Sequence, residues 1–339
     1  MDASQALQQC RNLTALVIGD VMIDAYLIGD VNRISPEAPV PVVDVKSRDR
    51  RLGGAANVAK NLLSMGAQVH LASVIGTDEA GEHLRSLLDN LSIGDSCIVA
   101  DSSRPTTIKT RVISNGQQLL RVDEETVVPI HAEIRATLVS RCIQLFDSAT
   151  IDVVIFEDYD KGVLTPEGIA ALIEAAHQRD IPVTVDPKFK QFHAYRGVDL
   201  FKPNLKELRE GLNALIGKED DQAIEAAIDQ LTSQLNVQNV LVTLSERGVW
   251  MHAPHQGVSH KRIPAFQREI NDVSGAGDTV IAVASFMLAM HVPADQLAAV
   301  SNLAGGLVCE KVGVVPINKE QLISEWESNH TPISSRPSA

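Results

Sequence analysis

The chain has 339 residues, 45% of them hydrophobic and 22% charged, with a net charge of −13 and no block of like charges. That balance suits a soluble globular enzyme and sets aside a nucleic-acid partner, which would require a basic face to neutralise phosphates. The N-terminal segment lacks the basic and apolar regions of a signal peptide, and no apolar stretch is long enough to span a bilayer, so a cytoplasmic protein with no membrane partner is expected.

Cys10, Cys97, Cys142 and Cys309 form no CxxC pair and read as reduced, mostly buried thiols rather than disulfides or a zinc site. Thr14 to Ile18 is an apolar, β-branched run ending in Gly19-Asp20, which predicts a buried first strand. Ligands of open parallel sheets gather at the carboxyl ends of strands, so Asp20 and Asp24, just beyond, are candidates to bind hydroxyl groups. Arg33 to Pro39 is broken by prolines, Val40 to Val45 reads as an edge strand, and Arg48 to Arg51 as a basic turn. Gly53 and Gly54 open a helix that carries Asn57 and ends at Gly66; glycine there would let a ligand lie against the backbone.

A strand (68–75), a helix (79–91) and a strand (97–100) follow. Two strand-like runs then flank Asn115-Gly116, a strong hairpin signal. With the 40–45 strand, this hairpin lacks intervening helices, which predicts a separate small β-layer, a lid with strands near 39–47 and 105–123, carrying Lys109, Arg111, Arg121 and Asp123. From residue 130 helices and strands alternate: helix 130–146, strand 152–156, helix 166–179, strands 183–185 and 200–201, helices 205–216 and 220–235, strand 240–243 and a meander over 248–263. Helices 277–290, 294–311 and 319–329 close the domain, and a Ser/Pro-rich tail from His330 reads as disordered. The order implies one α/β domain over 12–328: a mostly parallel central sheet with helices on both faces, plus the small lid.

Polar residues cluster just after successive strands: Glu157-Asp158, Asp186-Pro-Lys188, Lys202-Pro-Asn204, and Thr243-Leu-Ser245. Such a succession points to a shared crevice. Asn204 and Glu207, three apart at a helix start, suit holding a hydrated Mg²⁺, and the same spacing fits a helix capping box. In Asp272-Val-Ser-Gly-Ala-Gly-Asp278, small residues precede a helix-length apolar run. Free backbone N–H groups and the helix dipole favour an anion there. Asp278, in the first turn, either caps the helix or accepts a proton from whatever attacks a bound phosphate. Among basic residues at strand ends and in the lid, Lys188, Lys161, Arg33 and Arg111 are candidates to hold a phosphate on the acceptor, Lys188 first.

Gly53-Gly54-x-x-Asn57, Asn204-x-x-Glu207 and Asp272-x-x-Gly-Ala-Gly-Asp278 together resemble the ribokinase (PfkB-type) sugar kinases over nearly the whole chain. Gly-Asp-Val-Met-Ile-Asp24, Arg33 to Pro41, Asp158-Tyr-x-Lys-Gly162 and Asp186-Pro-Lys188 resemble the branch that phosphorylates the anomeric hydroxyl of a heptose 7-phosphate for lipopolysaccharide synthesis. The resemblance implies a ribokinase-like fold, a sugar phosphate and ATP as substrates, and Mg²⁺. It implies Asp278 as base, Gly275, Ala276 and Gly277 as the anion hole, and Asn204, Leu205, Lys206 and Glu207 as the nucleotide–Mg²⁺ segment. It further implies Thr243, Ser245 and Gly248 as nucleotide contacts, and Asp24, Gly53, Gly54 and Asn57 as sugar contacts. A homodimer through the lid is expected. His-x-Gly-His, the mark of a fused nucleotidyltransferase, does not occur, so adenylyl transfer is expected on a separate polypeptide. A fructose-phosphate or ribose-type kinase and a non-catalytic sugar- or nucleotide-binding regulator are the alternatives.

Overall fold

The computed structural model describes residues 1–9, 13–217 and 219–330; Cys10 and the tail expected beyond His330 lie outside the described residues. Helix α1 (Ala3–Gln8) is capped by Asp2 and buries Ala3, Ala6 and Leu7. Strand β1 (Thr14–Gly19) is apolar and buried, as an inner strand of a parallel sheet must be. The chain passes through Asp20 directly into β2 (Val21–Ile34), which pairs antiparallel with β3 (Pro41–Gly54). Then come α2 (Ala55–Met65), β4 (Gln68–Ile75), α3 (Glu79–Asn90) and β5 (Gly94–Ala100). The hairpin β6 (Ile108–Ser114) and β7 (Gln117–Glu124) turns at Asn115-Gly116, both at positive φ, as a tight hairpin turn requires.

The second half runs α4 (Ala132–Ser148), β8 (Val153–Glu157), α5 (Pro166–His177), β9 (Val183–Asp186) and β10 (Leu200–Phe201). It continues through α6 (Leu205–Leu212), α7 (Asp221–Leu235), β11 (Asn239–Thr243), β12 (Val249–Ala253) and β13 (Val258–Ile263). Helices α8 (Ala276–Ala289), α9 (Ala294–Cys309) and α10 (Lys319–His330) complete it.

Nine strands form the main sheet, in the order β13-β12-β11-β10-β9-β8-β1-β4-β5. Every pair from β5 to β11 is parallel; β12 and β13 add antiparallel. The chain winds outward from β1 through β4 and β5, then returns to the other side through β8. Such a reversal opens a crevice at the carboxyl ends of β1 and β8, where ligands of open α/β sheets sit. One core packs α2, α8 and α9 on one face of the sheet; the other packs α4, α5 and α7 on the opposite face.

The small sheet, ordered β3-β2-β6-β7, is the separate β-layer read from the sequence, with one strand more. The sequence reading missed β2: Gly29, Asp30 and Asn32 are poor strand formers, and pairing to β3 and β6 overrides them. It also took Arg48 to Arg51 for a turn. These residues belong to β3, an edge strand of the small sheet where charged side chains are at home. Asp24 is therefore a strand residue, not a loop residue. Ile34 of β2 and Leu120 and Val122 of β7 are exposed, as is Val40 just before β3.

Candidate active site

Helix α8 starts at the crevice because Gly275 takes its N-cap position with φ +80°, a conformation L side chains rarely adopt. A Cβ there would also stand 3.0 Å from the Asn57 amide nitrogen. No side chain caps this end; the Ala276 N–H donates to the Val273 carbonyl at 3.3 Å, so one amide of the expected anion hole is engaged in a turn. Asp278 follows in the first turn of α8, buried. Its Oδ2 accepts from Asn57 Nδ2 at 2.7 Å and its Oδ1 from the Tyr159 hydroxyl at 2.8 Å. Asn57 comes from the first turn of α2 and Tyr159 from the loop after β8, so two helix starts and a strand end converge on one carboxylate. Burial raises the pKa of Asp278, and the two hydrogen bonds oppose it. Burial and the Asp278 charge hold the Tyr159 hydroxyl well above its ordinary value, so it stays a donor.

Beneath lies a layer of paired charges. Glu157 and Asp186 end neighbouring parallel strands and stand in register. Asp186 Oδ2 accepts from Lys202 Nζ at 2.8 Å, while Asp186 Oδ1 and both Glu157 oxygens are buried without hydrogen-bond partners. Burial, then the charges of Asp186 and Asp278, push Glu157 well above the usual carboxylate range. Burial works against the Lys188 charge, but Asp186 and Glu207 outweigh it and hold that ammonium strongly protonated. Four carboxylates (Glu157, Asp186, Glu207, Asp278) thus face two ammoniums (Lys188, Lys202). The Glu157 oxygens, and Asp186 Oδ1 with only Lys188 Nζ at 3.8 Å, are the hard donor set a Mg²⁺-like cation takes.

Asn204 and Glu207 form a complete capping box: Asn204 Oδ1 accepts the Glu207 N–H, and Glu207 Oε2 the Asn204 N–H, each at 2.8 Å. Glu207 Oε1 accepts from Lys188 Nζ. The helix-cap alternative is therefore realised, and the oxygens without partners lie deeper, on Glu157 and Asp186. Leu205 opens α6, while Lys206 turns to solvent and pairs with Glu210 at 3.7 Å. Thr243 bridges to Asn204 across the strand ends. Ser245 begins a short 3-10 turn, and Gly248 is pressed against Ile263 and Pro264, where no Cβ fits.

Several expected substrate contacts are engaged within the protein. Asp20 is corrected from a hydroxyl ligand to a loop anchor: its carboxylate accepts the N–H groups of Tyr159, Lys161 and Val163. Asp24 pairs with Arg111 and lies against Gly53, where a Cβ would meet its Oδ2 at 2.1 Å. Gly54 is the N-cap residue of α2. Lys161 pairs with Glu125 at 2.7 Å, and Lys188 with Glu207. Arg33 is exposed, nine residues beyond Asp24 along β2, so it does not join this cluster.

Sequence reasoning passed over Tyr159, Glu157 and Lys202 as individual site residues; their signal was a polar group directly after a buried strand. Lys109 was read only as a lid charge. Its ammonium lies 5.6 Å from the Tyr159 ring centre, and Lys188 lies 5.4 Å from it. Among the described residues Lys109 forms no ion pair.

The sequence profile of the pfkB family carbohydrate kinases matches residues 13–321. The bifunctional protein HldE of Syntrophotalea carbinolica is 40% identical over 318 residues, 93% of this chain and 63% of that protein. HldE of Trichlorobacter lovleyi is also 40% identical, covering 95% of this chain and 65% of its own length. The chain thus spans a little under two thirds of these relatives. Phosphofructokinase-2 of Escherichia coli in complex with potassium shares the fold, with a TM-score of 0.75 at 19% identity over 92% of this chain and 98% of that one. Arabidopsis thaliana ribokinase complexed with ribose and ATP gives 0.68 at 17% identity, over 92% and 98%. With the family profile matching residues 13–321, and the ribokinase-like sheet shared with these solved structures, the chain belongs to the pfkB family of carbohydrate kinases.

Proposed function

We propose that the protein transfers the γ-phosphoryl group of ATP to the anomeric O1 of D-glycero-D-manno-heptose 7-phosphate, giving the 1,7-bisphosphate on the route to ADP-heptose and lipopolysaccharide. The observation that carries this reading is the Asp278 carboxylate, oriented by Asn57 and Tyr159 at the start of α8. The heptose assignment is supported by the Arg33–Pro41, Asp158–Gly162 and Asp186–Lys188 segments and by relatives named HldE.

Asp278 takes the proton of O1 as that oxygen attacks in line. Its burial raises its basicity toward the range where proton transfer is efficient. Asn57 and Tyr159 fix its orientation, and the amides at the start of α8 face the charge that develops on the transferred group. Glu157 and Asp186 would supply oxygen donors for Mg²⁺, with Asn204 and Glu207 beyond them. When bound, Mg²⁺ neutralises charge on the phosphate oxygens. Lys188 and Lys202 partly offset the burial that raises Glu157.

At the far end of the acceptor, Lys109 and Lys161 hold the 7-phosphate. Burial, then the neighbouring Lys161 charge, lowers the pKa of Lys109, and a phosphate dianion beside that ammonium offsets both; Lys161 would exchange its pairing with Glu125 for the phosphate. The small sheet acts as the lid and excludes water, a competing acceptor. Its exposed Ile34, Leu120 and Val122, with Val40 just before β3, are covered in a homodimer.

The test is a comparison of kcat/KM for heptose 7-phosphate, unphosphorylated heptose, fructose 6-phosphate and ribose with ATP. The heptose 7-phosphate should lead the panel. A preference for fructose 6-phosphate or ribose would reject the heptose assignment, and absence of turnover with every sugar would reject catalysis.

A further inference from the structure

A second group of ligating side chains lies away from the crevice, at the edge of the main sheet. His252 on β12, His260 on β13 and Asp229 on α7 each bring one ligand atom within 4.8 Å of the other two. His252 pairs in register with Val240, whereas the active-site end of β11 is at Thr243. This cluster therefore belongs to the opposite end of that strand.

The backbone is bent to build it. The β12–β13 register shifts between Met251 and Ala253, and His260 adopts φ +49°, uncommon for a residue with a side chain. Bulges of this kind re-aim a side chain. Here the result is two imidazole rings with centroids 4.4 Å apart. His260 Nε2 stands 3.0 Å from Asp229 Oδ1.

The His260–Asp229 contact leaves both ring Nδ1 atoms unaccounted for. His252 is 6% exposed, and its Nδ1 is buried without a hydrogen-bond partner, as is Nδ1 of His260. An orphaned buried ring nitrogen costs free energy unless it finds a proton donor or a metal. Asp229, with its side chain 62% exposed, can close on an ion and leaves a side open to water.

We infer that Asp229, His252 and His260 form a site for a divalent transition-metal ion of the Zn²⁺ class. Two imidazoles and one carboxylate, with water in a fourth position, match the donor preference of Zn²⁺ and exclude Mg²⁺, which favours oxygen. The ion would staple α7 to the β12–β13 hairpin. Asp221 already pairs α7 to Arg262 of β13 at 3.3 Å, and to Arg247 just before β12.

The test uses the full chain, stripped with EDTA and dialysed, then titrated with Zn²⁺ in competition with a chromophoric chelator. Native protein should take up one equivalent that excess Mg²⁺ does not displace. His260→Ala and Asp229→Asn should each weaken that equivalent by on the order of 10-fold or more, since even outer-shell changes cost that much. Co²⁺ in the native protein should show visible d–d bands of a nitrogen/oxygen site, absent in His260→Ala. Zn²⁺ should also raise the unfolding midpoint of the native chain and not of the variants. Because Asp229 is exposed on a helix, Asp229→Asn will fold. Tight binding that survives both substitutions, or no equivalent bound at micromolar free Zn²⁺, would overturn the site.

Discussion

Asp278 was legible in the sequence because glycines and a carboxylate before an apolar run have a local meaning. What holds it was less so: Asn57 was noticed for its own helix, and Tyr159 only as part of a motif. Long-range pairing delivers both. Asp278→Asn should fold and bind ATP while kcat falls by about 10²–10⁴-fold, the usual cost of losing a general base. Turnover near that of the native enzyme would remove Asp278 from the chemistry. Lys188 shows where residue-level reading stops: an ammonium after a strand looked poised for a ligand, and the fold pairs it with Glu207.

Asp158, in the same loop, gives a pH prediction. Its carboxyl is buried, accepts from Tyr195 at 2.7 Å, and is pushed from 3.8 to about 7 by burial and the nearby Asp20. The folded pKa exceeds the unfolded one, so the stabilising contribution is complete below pH about 4. It is lost as pH rises to about 7, by roughly 4 kcal/mol at about 1.4 kcal/mol per unit. Urea unfolding should show native stability falling relative to Asp158→Asn between pH 4 and 7, then running parallel. Parallel curves throughout would mean the carboxyl is not desolvated in the fold.

At the level of elements, the parallel sheet was readable because inner strands are short apolar runs separated by amphipathic helices. The small sheet was readable only in part. Asn115-Gly116 announces its hairpin, but β2 has no clean alternation and becomes a strand through its partners. Helix α6 illustrates two meanings for one spacing, since Asn204 and Glu207 cap it whatever else they do. Asn204→Ala should therefore cost about 0.5–2 kcal/mol in denaturant unfolding. An unchanged midpoint, with turnover lost, would assign Asn204 to the nucleotide alone.

For the molecule as a whole, the topological switch between β1 and β8 explains why distant segments share one crevice, and why single motifs could indicate its chemistry without its wiring. The exposed apolar face of the small sheet leads to a statement about assembly. Leu120→Lys with Val122→Lys should convert a dimer into monomers by light scattering, whereas a native chain already of monomer mass would contradict the dimer. The most direct measurement is the site of phosphorylation: ³¹P NMR of the product formed from ATP and heptose 7-phosphate, with Asp278→Asn alongside. One new phosphate on the anomeric carbon, formed by the native protein and not by the variant, is the expected result. Phosphate at another hydroxyl, or equal product from Asp278→Asn, would contradict it.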